Sequence, residues 1–162
     1  MFKKIINKMR IIIKITANKI AYKERLSLGN DFAFRKRLEI NITGKDAKIS
    51  IGSNVFFNND CSLNSKIGIS IGDDCIFGEG VKIYDHNHEY KDFEAPIYKQ
   101  GYKIRCVTIG RGCWIGSNSI ILPGSSIGEG TIIGAGCIIN GDIPSGVIVT
   151  SGRKITIKDR IR

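Results

Sequence analysis

Histidine, tryptophan and proline are scarce in this chain of 162 residues, which holds two, one and three of them. Both histidines fall in the stretch "DHNH" at residues 85–88, so one chain cannot supply a site of three or more histidines. The few prolines and the lack of a proline- or serine-rich stretch provide no linker between two domains. A chain of this length therefore predicts one domain with its own hydrophobic core.

The net charge of +10 is concentrated in one segment. Residues 1–37 contain 11 Lys and Arg against Glu24 and Asp31, which gives +9, and residues 38–162 carry the remaining +1. A nucleic-acid-binding domain would spread its basic residues over a folded face and place aromatic residues among them. The main part of the chain lacks that pattern, so nucleic acid is not an expected partner.

The basic segment has the spacing of an amphipathic helix. Apolar residues recur every three or four positions, with lysines between them: Phe2, Ile6, Met9, Ile13, Thr16 and Ile20. We predict a helical N-terminal segment over residues 1–37 and a main domain over residues 38–162. Two roles stay open, packing against the protein's own body or a neighbouring subunit, and contact of residues 1–25 with an anionic membrane surface. The longest apolar run of the segment, Ile11 to Ile13, is too short to cross a bilayer. We therefore expect a cytoplasmic protein, with the inner face of the membrane as the alternative location.

The rest of the chain is dominated by a six-residue repeat. From residue 109 it reads IGRGCW, IGSNSI, ILPGSS, IGEGTI, IGAGCI and INGDIP, and weaker copies lie at residues 51–68 and 71–88. One large aliphatic residue followed by glycine or a small polar residue predicts a short strand and a turn. Three such hexads form one triangular coil, and the aliphatic side chains of successive coils stack inside.

The cysteines fit this repeat as small inward-facing residues. Cys61, Cys75, Cys113 and Cys137 each follow a hexad aliphatic residue by four positions, and only Cys106 stands elsewhere. Their number is odd and no CxxC spacing is present, so neither a disulfide framework nor a zinc site is predicted. We expect four of them in the core.

The hexads resemble those of the hexapeptide-repeat acyltransferases, over roughly residues 49–152. The resemblance implies an all-β fold, a left-handed parallel β-helix, here with an N-terminal amphipathic helix and one long loop excursion between the hexads at 83 and 109. Within that superfamily the chain is most similar to the galactoside, maltose and surface-polysaccharide O-acetyltransferases. The resemblance implies transfer of an acetyl group from acetyl-CoA, without a metal, to a hydroxyl of a sugar or surface-polysaccharide precursor.

The same resemblance assigns roles near the histidines. An ungapped count along "IGDDCIFGEGVKIYDHNH" puts the catalytic general base at His88, and His86 is the alternative position. "FFNNDCSL" matches the segment whose asparagine contacts the sugar, which gives Asn58, and we add Tyr84 and Asp85 as acceptor-binding residues. An imidazole suits the task because its usual pKa lies near neutrality.

Residues downstream are assigned to the cofactor. "CWIGSNSIILPG" matches the tryptophan-containing hexad, so Trp114 would lie beside acetyl-CoA and Ser117 near the thioester, and "IGAGCII" gives Ala135 on the edge that binds the pantetheine arm. The chain departs from many relatives at Asn140-Gly141 and near its end, where Arg153 and Lys154 are candidates for the cofactor phosphates.

An excursion this long and aromatic, from His88 to Cys106, predicts a partner surface, and we expect a homotrimer with its sites between subunits.

Two other functions stay open. Trimeric carbonic anhydrases share this coil and bind zinc with three histidines, whereas this chain has two. A non-catalytic β-helix scaffold is the third class. Metal analysis separates the hydratase from the acetyltransferase, and thiol release from acetyl-CoA separates the scaffold.

Overall fold

A computed structural model describes residues 15–18 and 20–151, which form a three-sided parallel β-helix preceded by a short helix. Residues 15–18 and 20–22 are helical, and a 3-10 turn follows at Lys23–Arg25. Most of the predicted amphipathic helix, together with Arg153 and Lys154, lies outside the described residues. Within them, no helix has both the length and the apolar character that a membrane crossing requires.

The strands follow one another around the coil, three to a turn. The first three turns are β1 (Leu26–Leu28), β2 (Ala33–Phe34) and β3 (Glu39–Ile42), then β4 (Lys48–Ile51), β5 (Phe56–Phe57) and β6 (Ser62–Ser65), then β7 (Gly68–Ile71), β8 (Ile76–Phe77) and β9 (Lys82–Tyr84). A hairpin of β10 (His86–His88) and β11 (Tyr102–Ile104) follows, with a 3-10 turn at Ile97–Lys99 between its strands. The later turns are β12 (Val107–Ile109), β13 (Trp114–Ile115) and β14 (Ile120–Ile121), then β15 (Ser126–Ile127), β16 (Ile132–Ile133) and β17 (Ile138–Ile139), and last β18 (Asp142–Ile143) and β19 (Ile148–Val149).

Each face of the coil is one parallel sheet. Sheet A contains β1, β4, β7, β12, β15 and β18, sheet B contains β2, β5, β8, β13, β16 and β19, and sheet C contains β3, β6, β9, β14 and β17. Equivalent hexad positions pair in register, as Ile71 does with Ile109, and Ile109 with Ile127. The fold predicted from the hexads, with its single long excursion, is therefore confirmed.

The interior is a set of stacked columns of like side chains. The six hexad isoleucines predicted to face inward are buried: Ile109, Ile115, Ile121, Ile127, Ile133 and Ile139. Phe57 and Phe77 stack in the same interior, with ring centroids 4.1 Å apart and planes 8° from parallel. Burial of each such side chain contributes about 1.5–3 kcal/mol, so the columns hold successive turns together.

The cysteines occupy the small inward positions that the sequence predicts. Cys61, Cys75, Cys113 and Cys137 are buried and free, whereas Cys106 is exposed. The thiol of Cys75 donates to the carbonyl of Gly110 in the next turn, with sulfur and oxygen 3.1 Å apart. The prediction of core thiols is confirmed.

Residues with left-handed backbone mark the corner between sheets A and B. Asn54, Asp74, Gly112, Gly130 and Gly146 occupy equivalent places in successive turns, with φ between 57° and 70°. Asn, Asp and Gly tolerate this conformation better than other residues do. The recurrence of these residue types in the hexads therefore follows from the corner.

The coil begins earlier than the predicted boundary at residue 38. Leu26 pairs with Ile49 on sheet A, and Phe34 pairs with Phe57 on sheet B, so residues 26–34 already belong to the first turn. The helix packs on this end of the coil through Tyr22, whose hydroxyl donates to the Ile40 carbonyl at 2.9 Å. The predicted boundary is too late because these strands are determined by parallel pairing with the second turn. That pairing is not visible in the local sequence.

Candidate active site

The hairpin of β10 and β11 leaves the coil after the third turn and carries both histidines. In its antiparallel register His88 lies opposite Tyr102 and His86 lies opposite Ile104. Residues two apart in a strand face the same side, and both imidazoles accordingly contact Tyr102. The ring centroids of His86 and His88 lie 5.4 and 4.5 Å from that of Tyr102. The hairpin thus places the two imidazoles and a phenol on one face.

Asp85 is a buried carboxylate at the base of the hairpin, and its side chain is 0% exposed. It accepts hydrogen bonds from the corner between β6 and β7: the Ser65 hydroxyl at 2.7 Å and the backbone amides of Lys66, Ile67 and Gly68 at 2.8, 2.8 and 2.7 Å. Burial by itself raises the pKa of Asp85, but the hydrogen bonds from Ser65, the amides and His86 hold it below its ordinary value. Asp85 is therefore ionised at neutral pH and ties the hairpin to the coil.

This burial corrects the prediction that Asp85 contacts the acceptor. A carboxylate with no exposed surface cannot reach a bound sugar, and its oxygens are already occupied by the corner and by His86. Its backbone carbonyl also accepts from the Arg105 amide at 2.8 Å, where the hairpin returns to the coil. Asp85 acts on the site by fixing the position of the hairpin.

The two histidines have different surroundings. Nδ1 of His86 lies 2.9 Å from Asp85 Oδ1, and the His86 side chain is only 18% exposed, with Tyr84 and Tyr102 edge-on to its ring. The His88 side chain is exposed and lines a surface cavity. The geometry gives His86 a fixed, sheltered ring and His88 an accessible one.

The cavity has a volume of about 340 Å³ and lies between the hairpin and the coil. Its walls include Asn87, His88, Glu89, Tyr90, Lys91, Lys103, Arg105, Leu122, Pro123 and Asn140. Sequence reasoning missed the three basic residues of this wall. The alternation "KIR" at 103–105 carries a usable signal, because it puts Lys103 and Arg105 on the same side of an extended segment.

The other predicted site residues lie on a different part of the coil. Asn58, Ser117 and Ala135 follow β5, β13 and β16 at the corner between sheets B and C, and Ser117 and Ala135 occupy equivalent places in successive turns. Ser117 Oγ accepts from the Glu79 amide at 3.2 Å in the turn below. Ala135 is exposed at the next level.

Trp114 projects from the outer face of sheet B. It pairs with Ile76 on one side and Ile132 on the other, and 52% of its surface is exposed. Ile76 and Ile148 on the same sheet are also exposed. This apolar stripe adjoins the Ser117 corner, whereas the histidines leave the coil at the corner between sheets C and A. One chain therefore does not bring the two groups of predicted residues together.

Within residues 15–18 and 20–151, no group of three or more His, Cys, Asp or Glu side chains is arranged to hold a metal ion. The carboxylate beside His86 is occupied by the corner amides.

Comparison with known proteins identifies the repeat in two stretches of the chain. Residues 106–141 match the model of the bacterial transferase hexapeptide (six repeats), and residues 48–85 match that of the hexapeptide repeat of succinyl-transferase. These two matches cover the hexads before and after the hairpin, so the chain is similar to hexapeptide-repeat transferases along most of the coil.

Its relatives include sugar O-acetyltransferases. The galactoside O-acetyltransferase of Escherichia coli (strain K12) is 32% identical over 63% of this chain and 49% of the relative. A putative lipopolysaccharide biosynthesis O-acetyl transferase of the same organism is 28% identical over 76% of this chain and 66% of the relative. The chain thus spans less than two thirds of either relative. The crystal structure of a maltose O-acetyltransferase from Clostridium difficile 630 is 28% identical, with a TM-score of 0.69 over 89% of this chain and 75% of that one.

Proposed function

We propose that the protein is an O-acetyltransferase that moves an acetyl group from acetyl-CoA to a hydroxyl of a sugar or surface-polysaccharide precursor. The observation that carries this proposal is the exposed His88, which lies on the only hairpin of the described coil and lines a surface cavity. The sugar O-acetyltransferases among the relatives support the reaction class. Acetyl-CoA enters as the acetyl donor that this class of reaction requires.

The reaction needs a base and no covalent enzyme intermediate. His88 takes the proton of the acceptor hydroxyl as its oxygen attacks the thioester carbonyl, and the tetrahedral intermediate collapses with loss of the CoA thiolate. The proton held by His88 then passes to that thiolate, so the products are the acetyl ester and free CoA thiol. The Ser117 hydroxyl or a nearby backbone amide stabilises the oxyanion, and juxtaposition of donor and acceptor supplies much of the rate.

We further propose that each site lies between two subunits of a homotrimer. His88 and the Ser117–Ala135 edge occupy different corners of one coil, so a neighbour is needed to unite them. The apolar stripe of Trp114 on sheet B and the exposed Phe93 and Tyr98 of the long excursion are surfaces that such a neighbour would cover. Light scattering on purified protein tests the assembly, and a fully active monomer would contradict it.

Thiol release from acetyl-CoA tests the function itself. We expect release that depends on an added glycoside, with the acetyl ester detected by mass spectrometry. A protein that binds acetyl-CoA but acetylates none of a panel of glycosides, sugar phosphates and nucleotide sugars would contradict the proposal. Metal analysis of the same sample tests the hydratase alternative.

Mixed subunits give a quantitative test of the shared site. His88→Ala subunits and Ala135→Trp subunits are each expected to be inactive, the second because a bulky side chain blocks the cofactor edge. Random trimers from equal amounts should recover about a quarter of wild-type activity, since each site needs an intact contribution from two neighbours. Sites confined to one chain would recover none. Mixing each variant with itself is the control.

A further inference from the structure

We propose that the cavity beside His88 binds a negatively charged group of the acceptor, so that the preferred substrate is an acidic sugar bearing a carboxylate or a phosphate. This inference rests on the proposed O-acetyltransferase function and specifies the substrate class of the same site.

The cavity wall has an excess of positive charge. Lys91, Lys103 and Arg105 contribute three cations and Glu89 contributes one carboxylate, so the ionisable side chains other than His88 sum to +2. Within the described part of the chain, the ion pairs closer than 4.0 Å are Arg37–Asp60 and Asp85–His86. The three cations of the wall therefore have no carboxylate partner there. Such cations favour an anionic ligand, since charge-assisted hydrogen bonds are about twice as strong as neutral ones.

Arg105 is held in place from both sides. Its amide donates to the Asp85 carbonyl at 2.8 Å, and its carbonyl accepts from the Gly124 amide at 3.2 Å. Its side chain crosses Gly124, where a Cβ atom would lie 3.0 Å from Nε of the arginine. Gly124 also has a φ of +83°, which disfavours any larger residue. The chain thus keeps an open place beside Gly124 for the Arg105 side chain, which lines the cavity.

Lys103 lies on the hairpin itself, opposite Asn87 in the β-ladder and one residue from Tyr102. A cation at this position is part of the element that carries the base. Lys103 lies on the face of the hairpin opposite the Tyr102 ring, but His88 lines the same cavity, so an acceptor whose anionic group is bound by Lys103 and Arg105 lies beside the strand segment that carries the base. A fourth cation, the Lys66 ammonium, lies 3.9 Å from the centroid of the Tyr102 ring on the histidine face. The site is therefore basic on both sides of the hairpin.

The test compares ligands that differ only in charge. Methyl glucuronide and its methyl ester share the same ring hydroxyls, but only the acid is charged at neutral pH. NMR titration of the full-length protein measures their Kd without any need for turnover. We expect the acid to bind about tenfold more tightly than the ester, which corresponds to one charge-assisted contact. Glucose 6-phosphate against glucose is the phosphate arm of the same experiment.

Variants identify the residues responsible. The double variant Lys103→Gln with Arg105→Gln should lose the preference for the acid and keep the weak affinity for the ester. Lys45→Gln, at an exposed turn between β3 and β4, is the matched control and should keep the preference. The preference should also shrink as salt is raised, because the cations are exposed.

Three results would overturn the inference. The first is equal or tighter binding of the neutral partner in both ligand pairs. The second is an unchanged preference in the double variant. The third is a loss of acetyl-CoA affinity in that variant with uronate binding intact, which would assign the cations to the cofactor phosphates. Binding of the acid, with no acetyl transfer to any member of the acceptor panel, would instead contradict the proposed function and leave the anion site standing.

Discussion

Replacement of His88 by alanine is expected to lower the kcat of acetyl transfer about 10²- to 10⁴-fold, the usual contribution of a general base. The KM for acetyl-CoA should change little, because the assigned cofactor edge lies on another corner of the coil. Folding should be unaffected, since the His88 side chain is exposed on the hairpin. Steady-state thiol release and thermal unfolding measure these effects on the same preparations.

His86→Ala is the matched comparison, because it removes the same ring two residues away. Its effect should be smaller, since His86 is sheltered between two tyrosines and linked to Asp85 rather than open to the cavity. A His88→Ala variant with more than half of wild-type activity would contradict the assignment. A larger loss in His86→Ala would move the base to His86, whose carboxylate partner is suited to orient an imidazole.

The fold could be predicted in detail because a triangular coil repeats one local structure. Each hexad isoleucine from Ile109 to Ile139 faces inward for the same reason, so a single reading of the period predicted a whole column. The burial of Cys61, Cys75, Cys113 and Cys137 was predicted from the same six-residue period. The first turn was missed because it holds one isolated hexad, "LGNDFA" at 28–33, and the pairing of Leu28 with Ile51 and of Ala33 with Phe56 is a long-range contact.

The site was less predictable, because its parts come from distant segments. Asp85 stands next to a histidine in the sequence, which suggested a role in acceptor binding. Its partners Ser65 and the amides of 66–68 lie about 20 residues earlier, and only the stacking of turns brings them to it. The cations of the cavity come from the hairpin and its return to the coil, and the cavity forms only when these pack near Pro123 and Asn140.

Of the substitutions proposed for this protein, removal of the Asp85 carboxylate is expected to lower the free energy of unfolding the most. Asp85→Ala leaves the Ser65 hydroxyl and three corner amides without their acceptor in a buried place, which should cost about 3–5 kcal/mol of unfolding free energy. Asp85→Asn keeps the shape and one acceptor oxygen but turns an NH₂ group toward amide donors, so its cost should be intermediate. Activity should fall in both variants through displacement of the hairpin, with kcat affected more than the KM for acetyl-CoA.

The control for this experiment is Asp60→Asn. Asp60 forms an exposed ion pair with Arg37 at a corner with a left-handed φ, a conformation that asparagine tolerates. Its replacement should change stability little, because solvent screens exposed pairs. Urea unfolding at one fixed protein concentration measures all three variants, since dissociation of an oligomer would make stability depend on concentration. Equal effects of Asp85→Asn and Asp60→Asn would contradict the anchoring role of Asp85.

The Asp85 anchor also predicts how stability depends on pH. The pKa of Asp85 is lower in the folded protein than its ordinary value, so the unfolded chain takes up the proton first as the pH falls. The stabilisation is therefore complete above the unfolded pKa, about 3.9, and is lost as the pH falls through the lower folded pKa. Asp85→Asn lacks this titration, so the difference in unfolding free energy between wild type and variant should be constant near neutrality and shrink below about pH 4. A difference that stays the same from neutral to acid pH would mean that the ionised carboxylate does not hold the hairpin.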